Sequence, residues 1–259
     1  MKLFDSHCHL TDEKFNEDRE ELIAKLQSEG VEKIVTAGYS LESSKESIKL
    51  AREYTFMYTT IGISPNDIPE SKEEIDKEII ELKELYNKDK KIMAVGEIGL
   101  DYHWNMENKE LQKYAFIKQI ELANELDLPI QIHTREAVMD TLEILKNNKV
   151  SNGGIFHCCP LIRELVKEGL KLGFYISFAG PITFKNSRNA EEIIKMVPDD
   201  KFLVETDSPY LAPEPKRGTR NDPRNVKYII EKIAKEKEKT FEEIEDISYV
   251  NAKRIFKIQ

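Results

Sequence analysis

Residues 108–133 read Asn-Lys-Glu-Leu-Gln-Lys-Tyr-Ala-Phe-Ile-Lys-Gln-Ile-Glu-Leu-Ala-Asn-Glu-Leu-Asp-Leu-Pro-Ile-Gln-Ile-His. Two periodicities meet in this stretch. Over Asn108–Asp127, Leu111, Phe116, Ile117, Ile120 and Leu122 recur at helical spacing, and charged residues fill the other side. Over Leu128–His133 the pattern becomes a short, nearly continuous apolar run that stops on a histidine. Strands covered on both faces read this way, because neither face meets water.

The same alternation extends in both directions. Strand-like runs occur at Leu3–Cys8, Lys33–Ala37, Phe56–Ile63, Ile92–Gly96, Leu128–His133, Gly154–His157, Phe174–Phe178 and Phe202–Thr206. Charged segments of helical period lie between them. Phe15–Glu29 has Leu22, Ile23 and Leu26 on one side, and Lys72–Tyr86 has Ile75, Ile79, Leu82 and Leu85. Two more helical stretches, Asn225–Lys237 and Thr240–Phe256, close the chain. Eight strand–helix units in 259 residues predict a parallel (β/α)8 barrel, a TIM barrel, since such barrels run to about 250 residues. A doubly wound open sheet is the rival arrangement. No Gly-, Pro- or Ser-rich linker and no internal repeat divides the sequence, so residues 1–259 are expected to form one domain.

Composition narrows the function. Lys plus Arg number 39 against 48 Asp plus Glu, a net charge of −9, which argues against gripping nucleic acid by bulk charge. The start, Met1-Lys2-Leu3-Phe4-Asp5, meets a charge too early for a signal peptide. No apolar run approaches the roughly 20 residues that cross a bilayer. The three cysteines, Cys8, Cys158 and Cys159, make an odd count without CxxC spacing, which argues against a disulfide framework or a zinc knuckle. A cytoplasmic protein without a membrane or obligate protein partner is the expectation.

Chemistry concentrates at the ends of the strand runs, the face on which barrel enzymes build their sites. His7 and His9 close the first run, and strand alternation puts Asp5, His7 and His9 on one face and Cys8 on the other. Glu97 breaks an apolar run between Gly96 and Gly99, where an unpaired buried carboxylate would be costly. His133, His157 and Asp207 follow the fifth, sixth and eighth runs. Four imidazoles and two carboxylates suit one or two divalent ions of the zinc or manganese type, with Glu97 placed to bridge a pair. There is no GxSxG elbow, Walker A loop or GxGxxG to compete, and the residues point to metal-assisted hydrolysis.

The strings Asp5-Ser6-His7-Cys8-His9-Leu10, Gly96-Glu97-Ile98-Gly99-Leu100-Asp101-Tyr102, Ile132-His133-Thr134-Arg135-Glu136-Ala137, Phe156-His157-Cys158, Glu205-Thr206-Asp207-Ser208-Pro209-Tyr210-Leu211-Ala212-Pro213 and Arg220-Asn221-Asp222-Pro223 resemble the TatD family of metal-dependent deoxyribonucleases. The resemblance runs through essentially the whole chain in order. It implies a TIM barrel acting on DNA with divalent metal. His7, His9, Glu97 and Asp207 would hold one ion, and Glu97, His133 and His157 the second. Asp207 would also accept the proton of the attacking water, so Glu97 and Asp207 are the expected catalytic residues. Zinc, manganese and magnesium all suit such a pair of ions. Where many members of that family carry Gly-x-His-Pro, often with a further His, this chain has Gly62-Ile63-Ser64-Pro65-Asn66-Asp67, a change that bears on substrate preference and turnover. Ser177-Phe178-Ala179-Gly180 is a smaller departure.

Around the site, Arg135 is a candidate for forked bonds to phosphate. Tyr102, His103 and Trp104 follow Glu97 on the same face, and aromatics there can stack on bases, Tyr102 being the favoured contact. Arg220 lies in Lys216–Lys227, a segment of net charge +4 after the last strand run. Cys158 and Cys159 are expected to be packed thiols. Three functions follow from these residues: a deoxyribonuclease acting from an end of single-stranded or frayed DNA; a D-aminoacyl-tRNA deacylase or other ester or amide hydrolase using the same ions; and a non-enzymatic binding module.

Overall fold

The computed structural model describes residues 1–87 and 89–259. Eight strands, β1 Leu3–Cys8, β2 Val31–Thr36, β3 Met57–Ile61, β4 Ile92–Asp101, β5 Ile130–Arg135, β6 Gly154–Phe156, β7 Tyr175–Phe178 and β8 Phe202–Val204, form one sheet in sequence order, each parallel to the next. Helices α1 Arg19–Leu26, α2 Leu41–Glu53, α3 Lys72–Tyr86, α4 Lys109–Glu125, α5 Val138–Asn147, α6 Arg163–Lys171 and α7 Ala190–Met196 fill the connections. Helices α8 Val226–Lys237 and α9 Phe241–Ile255 follow β8. This is a single-domain (β/α)8 barrel. No helix among the described residues is long and apolar enough to cross a membrane.

Two of the boundaries differ from the sequence reading for physical reasons. The helix read over Phe15–Glu29 is broken, with α1 flanked by 3-10 turns at Glu13–Phe15 and Gln27–Glu29, the second ending on Gly30 at φ 92°. The fourth strand runs on past Gly96 to Asp101, because Ile98–Asp101 pairs with Ile132–Arg135 of β5.

The barrel is closed between β8 and β1 largely beyond the strand ends. Asp207 N–H donates to His7 O (3.0 Å) and His9 N–H to Ser208 O (2.7 Å). Asp5 reinforces this seam, its carboxylate accepting the Thr206 N–H at 2.9 Å and the Thr206 hydroxyl.

Inside the barrel the layers differ in chemistry. At the N-terminal end of the strands, Phe4, Val35, Ala94, Ile155, Tyr175 and Leu203 form one buried cluster with Ala252, Ile255, Phe256 and Ile258 from α9 and its tail. A polar layer follows: Ser6 Oγ lies 3.3 Å from Ser177 Oγ and donates to Val204 O, and Gln131 donates to Ser6 O. The histidines lie at the C-terminal end. A second and larger apolar cluster holds the helices against the outside of the strands and takes in Cys8 and Cys159.

Candidate metal centre

Strict alternation places Asp5 beside His7 and His9. The register of β1 on β2 instead slips between Asp5 and Cys8, and Asp5 turns to the seam with Thr206. His7 and His9 remain together, their Nε2 atoms 3.2 Å apart. Glu97 reaches the same space because β4 passes very close to β5. A Cβ on Gly96 would meet the Gln131 Cβ at 2.5 Å, and one on Gly99, at φ 138°, would meet His133 O at 2.0 Å. Asp207 has φ 55°, a left-handed conformation that Asp tolerates better than most residues.

The six expected ligands converge. Glu97 Oε2 is 3.5 Å from His7 Nε2 and 3.5 Å from His9 Nε2. Its other oxygen, Oε1, is 3.0 Å from His133 Nδ1 and 3.4 Å from His157 Nε2. Asp207 Oδ1 is 3.2 Å from His9 Nε2 and 3.6 Å from His7 Nε2. His133 Nδ1 and His157 Nε2 are 3.1 Å apart. Donor atoms of His7, His9 and Asp207 form one group compact enough to hold an ion, and those of His7, Glu97 and His157 another. The latter overlaps the expected Glu97–His133–His157 set, and the His133 distances make that set equally compact.

The outward nitrogens show that these donors suit a divalent ion. Gln131 donates its amide to Ser6 O (2.8 Å), so its oxygen accepts from His7 Nδ1 (2.9 Å) and a neutral His7 keeps a lone pair on Nε2. His133 Nε2 donates to Asp101 Oδ2 (2.9 Å), which frees Nδ1. His157 Nδ1 is 3.3 Å from Glu205 Oε1, which also accepts the Cys158 N–H at 2.7 Å. Metal-binding histidines are held in this way from behind, which fixes tautomer and ring orientation. Gln131, Asp101 and Glu205 were not singled out from the sequence. The period-two pattern of β5 that marks His133 also marks Gln131, whereas the contacts of Asp101 and Glu205 depend on tertiary structure.

The electrostatics agree with a site that holds cations. Burial alone would raise the Glu97 carboxyl, but the imidazoles of His157, His133 and His7 outweigh it and hold Glu97 well below the usual range. Burial disfavours a charged His157, yet Glu97 and Glu205 lift it well above the ordinary imidazole value. Against the same cost of burial, Asp207 with Glu97 lifts His9, and Asp101 with Glu97 lifts His133. Burial pushes the thiols of Cys8, Cys158 and Cys159 upward, in keeping with packed rather than nucleophilic cysteines.

The centre opens into a cavity of about 870 Å³. Arg135 lines it, with its guanidinium 5.4 Å from the centre of the Trp104 ring. Trp104 also lines it and is 69% exposed. His103 does not line it; its Nδ1 is 2.8 Å from Glu136 Oε1, and its ring meets Trp104 edge-on. The structure does not bring Tyr102 and Arg220 to the cavity. Tyr102 donates to Asp140 on α5 (2.7 Å) and carries Lys109 over its ring. Arg220 forks onto Asp18 and covers the Phe15 ring, so its charge is already paired. Arg224 is likewise paired, with Asp222 and Glu29, so Asp18 and Glu29 from outside Lys216–Lys227 offset half of its +4. Ser64 donates to Asp67 (2.6 Å), and Asn66 reaches Asp101 at 3.4 Å. Asp12, Tyr39, Asp67 and Tyr210, which the sequence did not reveal as site residues, also line the cavity.

Comparison with known proteins agrees with this geometry. Residues 4–257 match the family described as TatD related DNase. The Bacillus subtilis protein named uncharacterized metal-dependent hydrolase YabD is 45% identical, over 99% of each chain. The Escherichia coli K12 protein named uncharacterized metal-dependent hydrolase YcfH is 37% identical, over 100% of this chain and 97% of its own. Among solved structures, the TatD homologue YjjV of Escherichia coli K12 superposes with a TM-score of 0.93 at 24% identity, over 100% of this chain and 99% of its own, a likeness of fold. An organophosphorus hydrolase mutant from Deinococcus radiodurans shares the fold more distantly, with a TM-score of 0.69 at 13% identity, over 98% of this chain and 92% of its own. With a family match over nearly its whole length and full-length relatives well above 30% identity, the chain belongs to the TatD family and is a metal-dependent hydrolase.

Proposed function

We propose that this protein is a deoxyribonuclease that cleaves phosphodiester bonds at an end of single-stranded or frayed DNA with two divalent ions. The observation that carries the reading is Glu97, whose two oxygens face different histidine pairs, Oε2 toward His7 and His9 and Oε1 toward His133 and His157. His7, His9, Asp207 and Glu97 would hold one ion, and Glu97, His133 and His157 the other. Zinc, manganese or magnesium, when bound, would supply Lewis acidity and lower the pKa of water.

The protein's own groups do the rest. Asp207 borders the cavity, and its carboxylate, held below the usual range by His9, His157 and His7 against the effect of burial, stays ionised to take the proton of the attacking water. Arg135 offers a forked contact to a phosphate, and Trp104 a stacking face for a base. The test is cleavage of end-labelled single-stranded DNA by metal-loaded protein, with product polarity read on a gel. Absence of cleavage with every ion tried would sink the nuclease reading.

A second reading is favoured by the acidic and phenolic wall of Asp12, Asp67, Tyr39 and Tyr210. Such a wall suits an ammonium group, as on an aminoacyl ester, and points to deacylation of D-aminoacyl-tRNA. Robust deacylation without DNA cleavage would establish it over the first.

A further inference from the structure

Asp101 has no place among the ligands, yet it lies at a junction of four segments. It ends β4 and is 1% exposed. One oxygen, Oδ2, accepts from His133 Nε2 (2.9 Å) and from Asn66 Nδ2 (3.4 Å). The other, Oδ1, accepts the N–H groups of His103 (2.9 Å) and Trp104 (3.4 Å). Its own N–H and C=O are clamped by the Gln112 side chain on α4, at 2.9 Å and 3.0 Å. The carboxylate is therefore fixed, with donors on both sides. On one side is the ring whose other nitrogen faces Glu97. On the other is the start of the loop that carries Trp104 to the cavity, where the ring meets Arg135, two residues beyond His133.

Resting on the two-ion reading above, we infer that Asp101 is a positioning residue that couples the His133/His157 side of the metal centre to the substrate rim of Trp104 and Arg135. A cation drawing on His133 Nδ1 makes Nε2–H a stronger donor. That pulls Asp101 Oδ2 toward His133, and the rigid carboxylate carries the shift to the amides of His103 and Trp104. The coupling requires a carboxylate. All four partners donate, and only Asp or Glu can present an acceptor on both sides, whereas an amide would turn its NH2 toward one of them. The charge behind His133 also raises the ring's strength as a ligand. With Glu205 behind His157, this supplies anionic character on the side whose only candidate carboxylate ligand is the shared Glu97, while the other side has Asp207.

Trp104 is the only tryptophan in the chain, so its emission reads the rim directly. Zinc is the probe, because a d10 ion does not quench as an open-shell metal does. Metal-free protein is titrated with zinc while calorimetry counts ions and fluorescence follows Trp104. Wild type is expected to change emission in step with binding at the His133/His157 side. Asp101→Asn is expected to keep its circular dichroism, lose roughly 10- to 100-fold in zinc affinity at that side alone, and lose the Trp104 response even at saturating zinc. Glu136→Ala, which removes the other partner of the His103 side chain, is expected to keep the response. An unchanged Trp104 signal in zinc-saturated wild type, or a full response in Asp101→Asn, overturns the inference. Failure of DNA cleavage with the zinc response intact removes the nuclease reading and leaves the coupling standing. Cleavage without the response does the reverse.

Discussion

The two ends of the barrel interior use the same strands for opposite purposes. At the N-terminal end, Phe4, Val35, Ala94, Ile155, Tyr175 and Leu203 are closed over by Phe256 and its neighbours, and the Phe4 and Phe256 rings stack at 6.1 Å. At the C-terminal end, His7, His9, Glu97, His157 and Asp207 are buried or nearly so, with ring and carboxylate atoms 3.2–3.6 Å apart. The first end contributes stability through apolar burial and dispersion. The second costs stability, since like groups crowd together and must share protons until a cation takes their place. Chemistry can therefore sit at one end because the other supplies the stability to keep it there.

Substitutions at the two ends should separate function from stability. Glu97→Ala removes the group common to both proposed ion positions. It is expected to lower hydrolysis by more than the roughly 10- to 100-fold typical of losing an outer partner, with bound metal falling in elemental analysis. Phe256→Ala should do the opposite, costing about 3–5 kcal/mol of stability in denaturant unfolding while leaving kcat per folded molecule unchanged. A Phe256→Ala protein that stays stable but inactive would break the division.

The pH dependence sharpens the same contrast. His157, His9 and His133 have raised folded values, so the stability they contribute as cations to the metal-free protein is present below about pH 6.5 and is lost as pH rises through the raised values. A divalent ion needs the neutral rings, so zinc affinity should rise with pH over the same range. The gain in melting temperature on adding zinc should accordingly be larger at roughly pH 8 than at roughly pH 6. Equal gains at both would show that the imidazoles do not hold the ion.

Smaller effects are expected at the rim. Arg135→Ala should raise KM for DNA about tenfold or more with less change in kcat, the loss of a charged hydrogen bond. Arg220→Ala should leave kcat/KM within about twofold, since Asp18 already pairs that guanidinium. Steady-state kinetics on one oligonucleotide decides both. A large effect at Arg220 would restore the substrate role that its sequence position suggested.

Fold and ligands were legible to different depths. The eight strands were readable because a strand buried on both faces must be apolar along its length, and the surface helices because one stripe must be. The ends were less so: β4 runs on through Glu97 only because Gly96 and Gly99 let it lie against β5. The candidate ligands were readable as polar residues ending apolar runs. The partners behind them were not, since Asp101 contacts His133 across 32 positions and Glu205 contacts His157 across 48. Tyr102 and Arg220 illustrate the same limit. Their types fit a DNA contact, but Asp140 and Asp18 lie closer than the cavity does.

The sequence by itself determined which residue types stand at the C-terminal ends of which strands, because burial dictates hydrophobic pattern and any departure from it is visible. Only the tertiary structure decided which nitrogen of each histidine faces the centre, that Asp5 belongs to the seam, and which cations remain free for a substrate. These depend on distances of a few ångströms between groups far apart in the chain, and hydrogen bonds and ion pairs are made or lost on that scale.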